Sequence, residues 1–452
     1  MFFCLLLAGI IALCVFRWDA WFTNPAEDTY IAPTEPDNII LSYGNSLSSR
    51  TLSWRTAELQ PSFVVIDGDT LHAEGKVVQS RSGEAAFYKV TTGELAAGRH
   101  RYYVQTGDNR SDSLHFNVAA ENEVVRFILF GDIQEKDTVS PFADFCSENK
   151  QEEVNADFFV YAGDVIDRPT DKAWQTWFAS LHGLQTCVPQ LAAVGNHECL
   201  KGVSPELDPR WTSLLPLPDN GPERFEGTMG YLDFPSVRII VLNTQKLIRF
   251  SDYTIAQTWL SRSIAEADGR FTVVVMHHSI YTSAMRRYHP LVYTAFRTTL
   301  RNADVVVAGH DHVYTRRAME RIMFTDDTPQ PSADTVFATG NLCTPVFVVT
   351  NSSTKQYLPR CSSSDQRIGS GMSFYEEFTV TPDSLFLITK VLPDGNIYDA
   401  LVIERNTHNV SAMKNLPKEH IALPEQYEGK NTVEIRRFLN RRSTRFAVPS
   451  GQ

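Results

Sequence analysis

Six apolar runs in the middle of the chain each end in a short polar tip. The runs occupy residues 124–130, 158–162, 191–194, 237–243, 272–276 and 304–308. Apolar runs of this length, separated by helix-length segments, are typical of buried parallel strands. Because ligands of α/β sheets collect outside the carboxyl ends of such strands, residues far apart in the sequence would meet at one edge. The pattern therefore predicts an α/β sheet with a functional edge.

Five of the polar tips carry residue types that bind divalent metals, and only the tip at Asn243 lacks an obvious ligand. Carboxylate, amide and imidazole groups together suit zinc, manganese or iron. Calcium sites use oxygen alone and structural zinc sites use paired cysteines, so neither matches. The five tips contain Asp132, Asp164, Asn196, His197, His277, His278, His310 and His312.

This set is too large for one tetrahedral metal, but two metals that share one bridging carboxylate would use it. Paired ions about 3.5–4 Å apart clamp the attacking and leaving oxygens of a phosphoryl displacement. They also acidify a bound water at neutral pH. The residue types therefore indicate a dinuclear centre suited to phosphate chemistry.

In their order along the chain, these tips resemble the calcineurin-like metallophosphoesterase superfamily, and most closely its purple-acid-phosphatase-like branch. Residues 276–283, MHHSIYTS, are similar to the M-H-x-P-x-Y-x-S segment of that branch, and residues 309–316 resemble its G-H-x-H-x-Y-x-R segment. Residues 48–56 and 99–107 resemble its N-terminal fibronectin-like domain. The resemblance implies an α/β, four-layer αββα sandwich preceded by a small all-β (fibronectin/Ig-like) sandwich.

The resemblance also implies roles for individual residues. His197 would lie beside the substrate, where it would protonate the leaving oxygen or stabilise the charged transition state. A metal-bound hydroxide would attack phosphorus. In the implied ligand set, Asp132 and His312 hold the first metal, Asp164 bridges, and Asn196, His277 and His310 hold the second.

Two positions depart from the family pattern. Asp167 stands where the purple enzymes have a tyrosine ligand, so the protein should not be purple. Asp167 is either a replacement ligand, a hydrogen-bond acceptor for a neighbouring ligand, or part of a solvated turn. Gln134 stands where many superfamily members have a histidine ligand. We interpret it as a ligand through its amide oxygen, and the alternative is a simple polar residue at the strand end. The first site should then be oxygen-rich, which favours manganese or ferrous iron and leaves zinc open. The cofactor prediction is two divalent ions.

Other residues near the tips are candidates for supporting roles. Arg286, Arg287 and His289 follow the His277 strand and are candidate substrate-binding residues, because arginine makes bidentate contacts with phosphate. A solvated loop is the alternative. We expect Glu198 to orient a neighbouring group rather than to act as an acid, and His278 to lie next to the ligands rather than to bind a metal directly.

Composition limits the partners. The chain has 452 residues and a net charge of −11, which argues against a general nucleic-acid binder but allows a small phosphorylated substrate near metal ions. Residues 38–120 show short strands without helical period and predict the N-terminal β-sandwich. Residues 121–405 form the predicted phosphoesterase domain, in which β segments at 345–350, 373–390 and 397–403 complete a second sheet.

The two ends of the chain have their own character. Residues 2–16 are uninterruptedly apolar, shorter than the roughly 20 residues of a membrane span. We interpret residues 1–22 as a signal peptide or membrane anchor, followed by a linker at 23–37. The protein is therefore expected to be exported, periplasmic or extracytoplasmic, or membrane-anchored. The tail at 406–452 contains a predicted basic helix at 431–446 that either lies on a membrane or, the preferred interpretation, docks on the body with a solvated basic face.

The sequence thus predicts a dinuclear metal-dependent phosphoesterase that hydrolyses mono-, di- or pyrophosphoesters with assistance from His197. The alternative hypothesis is an exported phosphate- or glycan-binding protein that retains the fold without turnover.

Overall fold

The computed structural model describes most of the chain. The described residues are 9, 11, 12, 15, 16, 18–24, 26–120, 123–149, 154–202, 204–320 and 337–447. Most of the apolar run at 2–16, on which the signal-peptide or anchor prediction rests, lies outside them. A four-residue helix, α1 (Trp18–Trp21), follows that run. Among the described residues, no helix has both the length and the apolar character needed to cross a membrane.

The first large unit is all β and consists of two antiparallel sheets that share one core. One sheet has the order β1-β2-β6-β5; the other has the order β4-β3-β7-β8, with β9 also paired to β7. Alternate side chains from both sheets, including Trp54, Val64 and Phe116, are fully buried between them. The strands are β1 (Asp37–Tyr43), β2 (Arg50–Thr56), β3 (Ser62–Ile66), β4 (Asp69–His72), β5 (Glu74–Gln79), β6 (Glu84–Thr91), β7 (Gly98–Thr106), β8 (Asn109–Arg110) and β9 (Leu114–Val118).

The six apolar runs form strands, as their pattern predicts, and helices lie between them. Ser140 and Thr170 cap two of these helices by accepting hydrogen bonds from Ala143 N and Ala173 N. The strands of this region are β10 (Val125–Phe130), β11 (Phe158–Tyr161), β12 (Gln190–Ala192), β13 (Cys199–Leu200), β14 (Glu206–Leu207), β15 (Gly230–Asp233), β16 (Val237–Leu242), β17 (Phe271–Met276) and β18 (Val305–Ala308). The helices are α2 (Pro141–Glu148), α3 (Asp171–Ser180), α4 (Trp211–Leu214), α5 (Phe250–Ala265) and α6 (Pro290–Phe296).

The remaining strands lie C-terminal to these and connect them. They are β19 (Tyr314–Glu320), β20 (Phe337–Val349), β21 (Arg367–Gly369), β22 (Phe374–Val380), β23 (Ser384–Val391), β24 (Ile397–Glu404) and β25 (Asn409–Met413), and the last helix is α7 (Val433–Ala447). The main path of the resulting sheet is β12-β11-β10-β22-β23-β24-β25-β20-β18-β17-β16-β15. Strands β10–β12 are mutually parallel, as are β16–β18 with β20.

The predicted strand ends therefore belong to two parallel groups rather than to six adjacent strands. We call the β10–β12 group the first half and the β16–β18 group the second half. Apolar side chains of both halves, such as Phe127 and Val273, share one core. Helices α2 and α3 cover the outside of the first half, and α5 and α6 cover the second. This helix–sheet–sheet–helix order is the predicted four-layer α/β arrangement, with the difference that β20 and β22–β25 join both halves into one curled sheet.

Buried ion pairs connect the β-sandwich to the layered unit. The Arg55 guanidinium contacts Asp37 at 2.6 Å within the sandwich and Asp171, the first residue of α3, at 2.5 Å. Arg210 lies 3.6 Å from the same Asp171 carboxylate. Because breaking a buried, hydrogen-bonded charge network is costly, this junction ties the two units together.

The basic helix near the C-terminus is docked, which is the arrangement that the preferred interpretation predicts. Ile435 and Phe438 of α7 are buried against Leu358, Ile368 and Ile421. Exposed arginines on its other side, such as Arg436 and Arg437, face solvent.

Candidate metal centre

Strand-end residues from both halves of the sheet meet in one buried cluster. Asp132 and Asp164 follow β10 and β11 of the first half, and His277 and His310 follow β17 and β18 of the second. All four side chains are buried. Ligand atoms of Asp132, Asp164 and His277 lie within 4.8 Å of one another. The cluster is assembled only because the two halves pack face to face.

The His277 ring is the meeting point of the second-metal ligands. Its Nδ1 donates to the Ala162 carbonyl oxygen at 2.9 Å, so its Nε2 is free to coordinate. That Nε2 lies 3.1 Å from Asn196 Oδ1, 3.2 Å from Asp164 Oδ2 and 3.1 Å from His310 Nδ1. Four potential ligand atoms thus converge where the sequence predicts the second metal.

The first-metal ligands lie on the other side of Asp164. His312 Nδ1 faces the Lys355 carbonyl oxygen at 3.1 Å, and its Nε2 lies 3.8 Å from Asp132 Oδ1. The Gln134 amide nitrogen lies 3.2 Å from Asp164 Oδ2 and 3.0 Å from His312 Nε2. The structure therefore brings together every predicted metal ligand, on both sides of the shared Asp164.

Lys355 is a residue of this site that the sequence analysis missed. Its ammonium donates a hydrogen bond of 2.8 Å to Gln134 Oε1, so the amide turns its nitrogen toward the other ligands. The sequence predicts that Gln134 binds the metal through Oε1, and for this its hydrogen bond with Lys355 must first break. A signal was present: the apolar run at 345–350 also ends in a polar tip, Asn351, which forms a β-bridge with Asp132.

The backbone at the cluster adopts sparsely populated conformations. The φ angles are 29° at Gln134, 54° at Asp164, 70° at His310 and 48° at His312. Non-glycine residues rarely adopt this left-handed region, and such strain is concentrated at functional sites. Neighbouring Gly309 permits close approach, because a Cβ there would lie 2.7 Å from Asp132 Oδ2.

Two buried acids, Glu198 and Asp311, accept hydrogen bonds from the backbone of the loops and are not themselves at ligand positions. Glu198 Oε2 accepts hydrogen bonds from the backbone amides of Asp164, at 2.9 Å, and Gly195, at 2.7 Å, which is the predicted orienting role. Asp311 Oδ2 accepts from Ser283 N at 2.7 Å. Burial raises the pKa of Glu198 to about 8 and that of Asp311 to about 7.

His197 borders the cluster with its ring partly exposed. Its Nδ1 is hydrogen-bonded to the Asp167 carbonyl oxygen, and its Nε2 lies 3.9 Å from Asp164 Oδ2. Because a carbonyl oxygen can only accept, the proton on Nδ1 is fixed and Nε2 faces the cluster. The Asp167 side chain itself pairs with Arg168 at 2.9 Å, so Asp167 contacts the site through its backbone.

The remaining predicted residues divide into two groups. The rings of His278 and His289 pack 4.5 Å and 4.8 Å from that of His310, and Arg287 Nη1 lies 3.1 Å from His310 Nε2. These three therefore border the metal centre. Arg286 does not: its side chain is largely exposed and pairs with Glu434 of α7.

Charges at the cluster affect one another strongly. Burial raises the pKa of Asp132 to about 8, with His277 opposing the change. Burial would also raise the pKa of Asp164, but His277 and His197 hold it below its usual range. Burial alone would lower the pKa of His277, yet Asp164 and Asp132 raise it to about 9.

The donor set fits divalent metals. The carboxylates of Asp132 and Asp164 are buried, and a buried negative charge needs a nearby positive charge, which bound divalent cations would supply. The amide and imidazole groups around them are further metal ligands. The imidazole whose outer nitrogen is fixed by a backbone carbonyl, His277, presents its other nitrogen inward, which is the usual arrangement of metal-binding histidines.

This combination of a layered α/β fold and a buried Asp/Asn/His cluster is that of a metallophosphoesterase. Residues 125–314 match the family model described as calcineurin-like phosphoesterase. The predicted superfamily and fold class are thereby confirmed.

Two solved structures share the fold. One is purple acid phosphatase PPD1 from yellow lupin (Lupinus luteus) seeds, with a TM-score of 0.66 and 15% identity over 83% of this chain and 75% of that chain. The other is PhoD, with a TM-score of 0.58 and 12% identity over 94% of this chain and 100% of that chain. No curated protein sequence matches the chain significantly.

Proposed function

We propose that this protein is a dinuclear metal-dependent phosphoesterase that hydrolyses small phosphorylated substrates. The observation that carries this proposal is the convergence of Asn196, His277 and His310 on one side of Asp164, and of Asp132 and His312 on the other. A single carboxylate between two ligand groups suits a pair of ions. Manganese, iron and zinc all match the donor types.

When bound, the two ions would polarise the phosphate and acidify a water molecule. The chain's own residues orient this chemistry. Glu198 holds the Asp164 loop through two backbone amides, and the Ala162 carbonyl fixes the His277 ring. These contacts keep the ligand atoms in place before substrate arrives, which is the basis of electrostatic preorganisation.

His197 is the proposed proton donor to the leaving oxygen. Its Nδ1 is held by the Asp167 carbonyl, and its partly exposed Nε2 faces the cluster. A protonated Nε2 can hydrogen-bond to an oxygen that becomes negative as its bond to phosphorus breaks, and then transfer its proton.

Arg287 and Lys355 are the proposed contacts for phosphate oxygens. Arg287 lies beside His310 of the second-metal group, and Lys355 lies beside Gln134 of the first. Both cations also lie near the Tyr357 ring, Arg287 at 4.2 Å and Lys355 at 5.4 Å. One cation therefore borders each metal group, where it would attract an anionic substrate. Phosphomonoesters, diesters and pyrophosphates all carry that anionic group.

We further propose that the chain is exported or anchored through its N-terminus. The support is the apolar run at residues 2–16. The β-sandwich would then separate the phosphoesterase unit from the membrane or form a wall of the substrate cleft.

The proposal is tested by hydrolysis of p-nitrophenyl phosphate and bis-p-nitrophenyl phosphate. Metal-stripped protein is assayed after addition of manganese, iron, zinc or magnesium. His197→Gln should lower turnover about 10²–10⁴-fold, the usual contribution of general acid catalysis, without changing bound metal. His72→Gln, an exposed histidine of β4, is the matched control.

Metal-dependent turnover that the His197 variant loses would support the enzyme and rank the two substrates. Two bound ions per chain without turnover of either substrate would favour the alternative, a phosphate- or glycan-binding protein.

A further inference from the structure

A second concentration of positive charge lies outside the metal centre, between α7 and the body of the protein. Here a cleft of about 1080 Å³ is lined by Arg360, Arg367, Lys418, Arg441 and Arg445, with Phe446 at its edge. We call it the basic cleft. Ligand sites commonly measure about 300–1,000 Å³, so its size suits a small molecule or a headgroup. Five cations around one cleft are unexpected in a chain whose net charge is −11.

Most of this charge has no carboxylate partner among the described residues. Glu419, which also lines the cleft, is taken by Arg445, with two contacts of 2.6 Å. Asp365 nearby is paired with Arg317 at 2.6 Å. Arg360, Arg367, Lys418 and Arg441 form no ion pair within the part of the chain that the structure describes. The cleft therefore carries about four uncompensated positive charges, which is the charge pattern of an anion site.

Arg367 lines the cleft with a positive charge that the protein itself holds in place. Its side chain is buried, only 8% exposed, and its Nη2 donates to the carbonyl oxygens of Tyr398 and Pro417, both at 2.6 Å. Its Nε has no hydrogen-bond partner among the described residues. The guanidinium also lies 4.5 Å from the centre of the Tyr398 ring, so its charge is fixed beside the cleft, and a guanidinium matches phosphate oxygens in particular. The other lining cations, Arg360, Lys418, Arg441 and Arg445, are exposed or partly exposed.

We propose that the basic cleft is a second anion site that binds phosphate groups, separate from the metal centre. Its ligand would be a compound that carries at least two negative charges, either a free phosphorylated molecule or the phosphate headgroup of a lipid. The exposed Phe446 at the edge allows an apolar portion beside the charged one.

The test uses methylenediphosphonate, a diphosphate analogue whose bridging carbon resists hydrolysis. Its binding to the full chain is measured by calorimetry with and without metal, because binding at the metal centre needs the ions and binding in the cleft does not. The double variant Arg360→Gln/Arg441→Gln removes two cleft cations that are exposed. The control, Arg436→Gln/Arg437→Gln, removes the same charge from exposed positions outside the cleft lining.

In metal-stripped protein we expect the cleft variant to bind at least about 10-fold more weakly than wild type, because two charge-assisted contacts are lost. The control should bind as wild type does. A parallel arm measures co-sedimentation with phosphatidylcholine vesicles that contain phosphatidylglycerol. Sedimentation that the cleft variant loses and the control retains, without diphosphonate binding, would assign the cleft to a lipid headgroup.

Three outcomes would overturn the proposal: equal weakening in both variants, which indicates general charge attraction; diphosphonate binding only in the metal-loaded protein; and no binding of diphosphonate or vesicles. Thermal unfolding of both variants at the wild-type temperature would show that the cleft itself is intact. Because these measurements need no hydrolysis, they are independent of the proposed enzymatic activity.

Discussion

The two halves of the curled sheet contribute opposite chemistry to the metal centre. The first half supplies oxygen ligands, Asp132, Asp164 and Asn196, and backbone amides orient its loops around Glu198. The second half supplies the imidazoles of His277, His310 and His312, and backbone carbonyls orient two of these rings. In the first half, backbone N–H groups donate to the Glu198 carboxylate, whereas in the second half the ring Nδ1 atoms of His277 and His312 face backbone carbonyl oxygens. The predicted ligand set for two metals draws on both halves, and the packing of the halves brings its oxygen and imidazole ligands together.

The largest effect on the metal centre is expected from Asp164→Asn. Asp164 is the residue that both ligand groups share, and an amide cannot bridge two cations as a carboxylate does. We expect loss of at least one ion per chain and a fall in kcat/KM of about 10³-fold or more, comparable to removing a principal electrostatic group. Metal analysis and hydrolysis assays measure both quantities. Asp144→Asn, at an exposed position of α2, should change neither, and retained metal and activity in the Asp164 variant would contradict the bridging role.

Glu376→Gln tests the interior between the halves. Glu376 of β22 is fully buried, and burial raises its pKa to about 8, against a smaller opposing effect of the Thr350 hydroxyl. Since the folded pKa lies above the unfolded value near 4.3, ionisation destabilises the wild type increasingly as the pH rises from about 4.3 to 8. The variant should therefore be more stable by on the order of 3 kcal/mol at pH 7 and equally stable at pH 4.

Urea unfolding at several pH values measures this difference. Glu74→Gln, at an exposed position of β5, should show no such trend. A stability gain for Glu376→Gln that does not grow with pH would contradict the explanation.

Glu198→Gln changes only the side chain that supports the loops of the first half. A glutamine would direct an NH₂ group at one of the amides of Asp164 and Gly195 that now donate to the carboxylate. Loss of such outer contacts typically weakens metal affinity about 10–100-fold. Calorimetric metal titration tests this expectation, with exposed Glu206→Gln as the control. Unchanged affinity would mean that the Asp164 loop is held by other contacts.

Lys355→Met is expected to raise metal affinity, whereas Glu198→Gln is expected to lower it. It removes a positive charge that holds Gln134 Oε1 away from the first metal group. The freed amide oxygen should then raise first-site metal affinity by about 10-fold, since a nearby like charge no longer opposes the ion. Lys136→Met, an exposed lysine two residues after Gln134, is the matched control. Weaker metal binding in the Lys355 variant would show that Lys355 supports the site.

Much of the metal centre was predictable because each ligand directly follows an apolar run. Periodicity locates strand ends, and ligand chemistry depends on residue type, so Asp132, Asp164, Asn196 and the histidines were found. The pairing of Arg286 with Glu434 was not, because the two residues are 148 positions apart and no local pattern relates them. The basic cleft was missed for the same reason.

The sheet order was only partly predictable. Alternating strands and helices indicate parallel groups, but no periodicity reveals that β22 pairs with β10 on one side and β23 on the other. Likewise, the left-handed backbone at Asp164 and His312 is imposed by tertiary packing rather than by residue preference.

The pairing of β10 with β22 also bears on how the chain acquires its metal site. Gly131 N, beside the first ligand, donates to Ser352 Oγ, 221 residues later in the chain. β22 (Phe374–Val380), which pairs with β10 (Val125–Phe130), is likewise synthesised long after β10, and such distant pairings form slowly. The metal ligands extend to His312 and the contacts that hold them extend to Lys355, so metal loading reports a late stage of folding rather than its beginning.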